Sequence, residues 1–190
     1  VLATPGSPET MPLQNTRSRF GHVARALHWG IAVLILVQFV LANVAEAQEG
    51  LLAQIKWFAR HKSFGMTVLA LAVLRLGWRL YSPPPPLPAA MSGATALLAR
   101  VTHWLFYGLL FALPLSGWLM SSAANFPVSW FGLFTFPDLV APDEDLQHTL
   151  ESVHELLART LWITVLVHVA AALKHHFVDR DDVLRRMLPW

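Results

Sequence analysis

The sequence predicts an all-α fold, an integral membrane four-helix bundle. Three observations carry that expectation. Of 190 residues, 55% are hydrophobic and 14% charged, a balance unsuited to a soluble globule of this size. Four stretches have charge-free centres that, with their flanks, read as helical spans, the second being ambiguous on length alone, and the Lys and Arg around them are sorted by side.

The first span, residues 26–45, is ALHWGIAVLILVQFVLANVA, twenty residues without a charge, closed by Glu46 and Glu49. That length crosses about 30 Å of hydrocarbon as a helix. The second, residues 61–80, has a charge-free centre of only twelve residues, Ser63 to Leu74, completed by Arg75 and Arg79, whose stems reach the interface. Pro83 to Pro86 then stops the helix and gives a stiff extended connection. Residues 101–137 carry no charge, too many for one helix, so the third span takes 101–122, with a kink expected at Pro114. The remainder, NFPVSWFGLFTFP, reads as a Trp- and Phe-rich segment at the headgroups. The fourth span, residues 152–177, has its charge-free centre from Thr160 to Leu173. Residues 1–18 read as a disordered leader without the apolar core of a cleaved signal, and residues 19–190 as one domain.

An even number of spans puts both termini on one side. Arg17, Arg19, Arg25, Arg75, Arg79, Arg100, Lys174, Arg180, Arg185 and Arg186 fall at that face. The opposite face holds Lys56, Arg60, Lys62 and Arg159 beside eight acidic residues, among them Asp138, Asp143, Glu144 and Asp145. The positive-inside tendency therefore places both termini in the cytoplasm. A net charge of +2, sorted rather than clustered, sets nucleic acid aside as a partner. The absence of Cys removes disulfides, iron–sulfur clusters, c-type haem attachment and thiolate zinc sites together.

Nine His in so apolar a chain require an account, because an intramembrane His is costly and usually has an assigned partner. By the topology, His28 and His103 lie toward the cytoplasm, His61 and His154 toward the periplasm, and His168 deeper again on the cytoplasmic side. His154 and His168 are fourteen residues apart, close to four helical turns, so one helix offers two rings on one stripe about 21 Å apart. A low-spin haem iron takes two axial nitrogens from opposite faces of its macrocycle, hence from different helices. Matching by depth pairs His61 with His154 and His28 with His168. His103 and His175 are rivals for the inner pair, the first by depth and the second by lying seven residues past His168. If they are not ligands, they and Arg75 and Arg79 either bind propionates, or exchange protons with a quinone headgroup, or are interfacial residues without chemistry. Gly65, one turn from His61, and Gly30 and Ala32, near His28, suit either a flat macrocycle or the close approach of two helices. His22, His148 and His176 read as surface residues. A reading of another class is a proton channel or transporter in which the His form a relay without redox chemistry.

LHW in the first span, ARHKSFG at the second, THWLFYGLLFALPLSGW in the third and VHELLARTLWITVLVHVAAALKHHFVDRDDVLRRMLPW at the end resemble the bacterial cytochrome b561 family, from about Arg19 to Trp190. The resemblance implies a four-helix membrane protein with two b-type haems, ligated by the His at positions matching His28, His61, His154 and His168. It also implies electron transfer, in some members as superoxide:ubiquinone oxidoreductases, in others as quinol-linked carriers serving a protein partner. A superoxide-collecting site calls for local positive charge. No Lys or Arg lies between Ser121 and Arg159, whereas Lys56, Arg60 and Lys62 surround His61. The expected partners are the lipid bilayer, a quinone and a periplasmic electron donor.

Overall fold

A computed structural model of the chain describes residues 12–88 and 91–188. Four helices dominate it: α1, His22–Glu46; α2, Leu51–Tyr81; α3, Gly93–Ala123; and α4, Glu144–Lys174, which runs on into a π-helical turn, His175–Asp179. A two-stranded hairpin, β1 (Ser129–Trp130) and β2 (Phe134–Thr135), lies between α3 and α4. All four helices are long and apolar enough to cross a membrane.

Each helix contains its expected span and overruns it, α4 doing so only together with its π-helical turn. α2 begins at Leu51 rather than near residue 61, and α4 at Glu144 rather than near residue 152. The added turns carry Lys56, Arg60, Glu144, Asp145 and Glu151, charged residues that a charge-free run leaves out and that the helix itself accommodates. Caps define two of the starts: Ser92 Oγ accepts from the Thr95 N–H at 3.3 Å, and Asp143 Oδ1 from the Leu146 N–H at 2.9 Å. Glu144 and Asp145 in the first turn of α4 add negative charge at the positive end of its dipole. Pro114 lies inside α3, where its missing N–H leaves the Leu110 carbonyl without a helical donor.

The helices pack in chain order, α1 on α2, α2 on α3 and α3 on α4, and among the described residues the backbones of α1 and α2 make no approach to α4. The apolar core, Ile31, Val68, Ala72 and Leu110, therefore belongs to α1, α2 and α3. In α4 only Thr164 is buried. Outward-facing Val33, Leu36, Val40, Leu166 and Val167 are exposed, as side chains solvated by lipid tails are. A slot thus separates α4 from α1 and α2, and it is this slot that the site occupies.

The two ends of the bundle are closed differently. At one end, called inner below, the segment up to Leu188 straps across α1. The buried Arg25 donates to the Leu188 carbonyl at 2.7 Å and Trp29 Nε1 to that of Met187 at 2.9 Å. Arg186 reaches the Pro86 carbonyl at 2.8 Å, tying the strap to the polyproline connection. Of the 1–18 leader, residues 1–11 lie outside the described residues; Asn15 is bonded to Ser82 through its N–H at 2.9 Å and its side-chain amide at 2.7 Å.

At the outer end the aromatic segment expected at the headgroups forms the hairpin, laid against α2. The buried Ser63 hydroxyl lies 2.9 Å from the Ser129 carbonyl and accepts from the Phe131 N–H at 3.1 Å, and Trp130 Nε1 donates to Thr67 Oγ1 at 3.0 Å. Phe131 (φ 50°) and Gly132 (φ 76°) are both left-handed, which a right-twisted two-stranded turn favours but which costs a Phe about 1 kcal/mol. Its ring is placed edge-on to Phe64 at 5.0 Å. Ser63→Ala removes the shared hydroxyl. At roughly 0.5–1.5 kcal/mol for each bond, it is expected to destabilise the hairpin by about 1–3 kcal/mol. Limited proteolysis within residues 126–136 in detergent checks this, and cleavage no faster than in the unsubstituted protein contradicts it.

Candidate functional site

Four His rings project into the slot in two facing pairs. His61 on α2 and His154 on α4 have ring centroids 6.3 Å apart, and His28 on α1 and His168 on α4 also stand at 6.3 Å. An imidazole nitrogen bonds a transition metal at roughly 2.0 Å and lies roughly 1.1 Å from its ring centroid, so two rings sharing one metal ion have centroids about 6.2 Å apart. Both pairs join helices whose backbones do not pack on each other, which leaves room for a flat macrocycle between them.

The outer pair opens on a cavity of about 510 Å³ lined by all four helices, within the range of cofactor sites. Ile35, Leu110, Leu113, Leu161 and Trp162 make its walls apolar, while Glu46, Lys62, Glu151 and Glu155 also border it. Phe39 of α1 stacks on Trp162 of α4 at 4.4 Å, bridging the slot between the levels of His154 and His168.

Each ring of the outer pair is held through Nδ1. His61 Nδ1 lies 3.2 Å from the Gln38 carbonyl, and His154 Nδ1 lies 3.0 Å from Ser116 Oγ. A carbonyl only accepts, so His61 carries its hydrogen on Nδ1 and leaves the Nε2 lone pair free, the form that ligates a metal. Two glycines make the space. A Cβ on Gly117 would meet His154 Cε1 at 3.1 Å, and one on Gly65 would meet the Gln38 side-chain amide at 2.8 Å. Gly30, by contrast, has nothing within 4 Å, so no close neighbour requires a glycine there. The buried Gln38 Oε1 has no hydrogen-bond partner and borders the cavity.

The inner pair has a different setting. His103 is 5.7 Å from His168, and Phe106 5.2 Å, both on α3, which packs directly on α4. α1, which carries His28, does not pack on α4, so the two candidate partners of His168 stand on helices with different relations to it. Arg75 hydrogen-bonds Tyr107 and stands within electrostatic reach of His28, His103 and His168. Arg79 lies 5.6 Å from the Trp104 ring and 5.8 Å from that of Tyr107. Among the described residues neither Arg forms an ion pair with a carboxylate, so two positive charges sit beside the inner pair without a compensating acid. His175 is turned to its own segment, 2.6 Å from Asp181 and 3.2 Å from Asp179. Lys174 also pairs with Asp179, at 2.7 Å. His148 is exposed beside Glu144 and Glu151.

Ser116, Gly117, Tyr107 and Gln38 went unremarked in the sequence. They lie inside long apolar runs, and nothing in such a run tells which small or polar residue faces the slot.

The family model for prokaryotic cytochrome b561 matches residues 19–190, nearly the whole chain. The chain belongs to the prokaryotic cytochrome b561 family. It is 37% identical over 186 residues to cytochrome b561 homolog 2 of Escherichia coli K12, covering 94% of this chain and 95% of that one. It is 32% identical over 164 residues to a probable superoxide oxidase of Yersinia pestis, covering 86% and 92%. Cytochrome b561 homolog 1 of E. coli is 27% identical over 177 residues, covering 90% and 98%. This cytochrome is accordingly a multi-pass inner-membrane electron carrier whose family uses b-type haem.

Proposed function

We propose that the protein holds two b-type haems, the outer between His61 and His154 and the inner between His28 and His168, and passes electrons between a periplasmic donor and the ubiquinone pool. The observation that carries this reading is the pair of 6.3 Å gaps, each between helices that do not pack on one another. Haem supplies the one-electron chemistry when bound. The chain's own residues orient, enclose and balance charge. Gln38 and Ser116 aim the outer rings, Gly117 leaves space beside His154, and the apolar walls keep water and its high dielectric out. Arg75 and Arg79, with Tyr107 and His103 beside them, meet the anionic propionates of the inner group, which supply the negative charge that no nearby carboxylate does, or hydrogen-bond a quinone headgroup. Both termini lie in the cytoplasm, where the Arg-rich inner end belongs.

Superoxide is one candidate donor, as for the Yersinia relative. The arrangement of charge at the outer end favours a second reading, quinol-linked transfer to a protein partner. Lys62 Nζ is bonded to the Phe126 and Pro127 carbonyls at 3.2 Å each, Arg60 sits 4.5 Å from the Trp57 ring, and Arg159 pairs with Glu155 at 2.9 Å. Eight acids against Lys56, Arg60, Lys62 and Arg159 leave that end short of the positive field that gathers a small anion.

The test is a haem count and a reduction assay on the purified protein. About two haems per chain are expected, with two midpoints in a redox titration and reduction by either superoxide or ubiquinol. One haem ends the two-centre reading. Reduction by ubiquinol with none by superoxide selects the partner-linked carrier. A colourless protein returns the His to a proton relay.

A further inference from the structure

The two outer rings are held by different kinds of acceptor. His61 Nδ1 meets a main-chain carbonyl, that of Gln38, which no substitution removes. His154 Nδ1 meets a side chain, the hydroxyl of Ser116 on α3, at 3.0 Å. Ser116 is 7% exposed, and its hydroxyl donates to the Leu113 carbonyl at 2.9 Å. A serine has one hydrogen to give. With that hydrogen engaged by Leu113, Ser116 Oγ accepts from His154. The His154 ring also hydrogen-bonds the Leu113 carbonyl, which has no hydrogen to offer, so the ring is the donor on this side. Gly117, the next residue, has its Cβ position 3.1 Å from His154 Cε1, so the ring edge lies against the Ser116–Gly117 step of α3.

We propose that Ser116 is a positioning residue for His154: it holds the ring in the Nδ1–H tautomer and orientation, and through that hydrogen bond it sets the reduction potential of the outer haem. The inference rests on His154 being an outer ligand. An imidazole whose N–H is hydrogen-bonded is a stronger donor through its other nitrogen. A stronger donor favours the ferric state and lowers the potential. Because His61 has a backbone acceptor alone, whereas His154 has the Ser116 side chain besides the Leu113 carbonyl, the potential is adjustable from the α3 side of the site.

The experiment compares the purified holoprotein with Ser116→Ala and Ser116→Thr, by spectroscopic redox titration and by the electron paramagnetic resonance g-values of the ferric low-spin haems. A Thr in a helix retains a hydroxyl able to bond the preceding turn. In Ser116→Ala the outer midpoint is expected to rise and the outer g-values to change, with the inner haem unaffected and both returning in Ser116→Thr. Loss of the outer haem from Ser116→Ala with recovery in Ser116→Thr supports the same role. An outer midpoint and g-values unchanged in Ser116→Ala, or a change that Ser116→Thr leaves in place, overturns it. His154→Ala is the companion variant: an outer haem retained there refutes the ligand itself, a result distinct from failure at Ser116.

Discussion

His61→Ala or His154→Ala is expected to reduce the haem content from about two to about one per chain by removing the outer group, while His28→Ala or His168→Ala removes the inner one. The remaining haem should keep its own midpoint in each case, because the levels of His154 and His168 are about 21 Å apart along α4. The four variants differ in what they leave behind. Either substitution leaves one His where two would hold the group, in an otherwise apolar slot whose shape alone would not replace the lost nitrogen. His103→Ala is the discriminating companion. Its ring is 5.7 Å from His168, but its helix is packed on α4. Two haems are therefore expected to remain in this variant, with a changed inner midpoint. Haem counting on detergent-purified protein and a redox titration measure all five. Two haems retained in His168→Ala, or one lost from His103→Ala, would reassign the inner ligands.

Gly117→Leu is the second large effect. The first added carbon would stand 3.1 Å from His154 Cε1, and the rest of the side chain would enter the 510 Å³ cavity. Overpacking a filled interior costs about 1–3 kcal/mol, and here the displaced atoms belong to the ring that holds the outer group. The expected product is a membrane-inserted protein with about one haem, the inner one, and an unchanged inner spectrum. Gly30→Ala serves as the contrast, since nothing lies within 4 Å of its Cβ position, and it should keep both haems. Two haems in Gly117→Leu, measured as above, would mean that the ring moves aside without losing its function.

The charge-free stretches and the spacing of His154 and His168 made the helices and the histidine levels legible. A membrane span must be apolar over a set length, and a ring every fourteen residues must recur on one face, so both are properties of local order along the chain. Where the helices would begin was less legible. Lys56 and Arg60 sit on helical turns outside the apolar core of α2, a position in which charge says nothing against helix. The interfacial segment was placed by its aromatics, yet its folding into a hairpin depends on Ser63 and Thr67, more than sixty residues away.

Depth by itself left His103 as eligible as His28, since both start a span from the same side. What separates them is that α3 packs against α4 and α1 does not, a fact about the order of helices around the bundle that no single helix encodes. Ser116 and Gly117 acquire their meaning the same way. Within α3 they are a small polar residue and a glycine in an apolar run, and only the crossing of α4 brings His154 against them. The residue types and their periods were thus decided along the chain, because hydrocarbon imposes length and polarity on each helix separately. Which ring faces which, and which hydroxyl holds it, was decided by packing, because a slot exists only between helices that the rest of the bundle keeps apart.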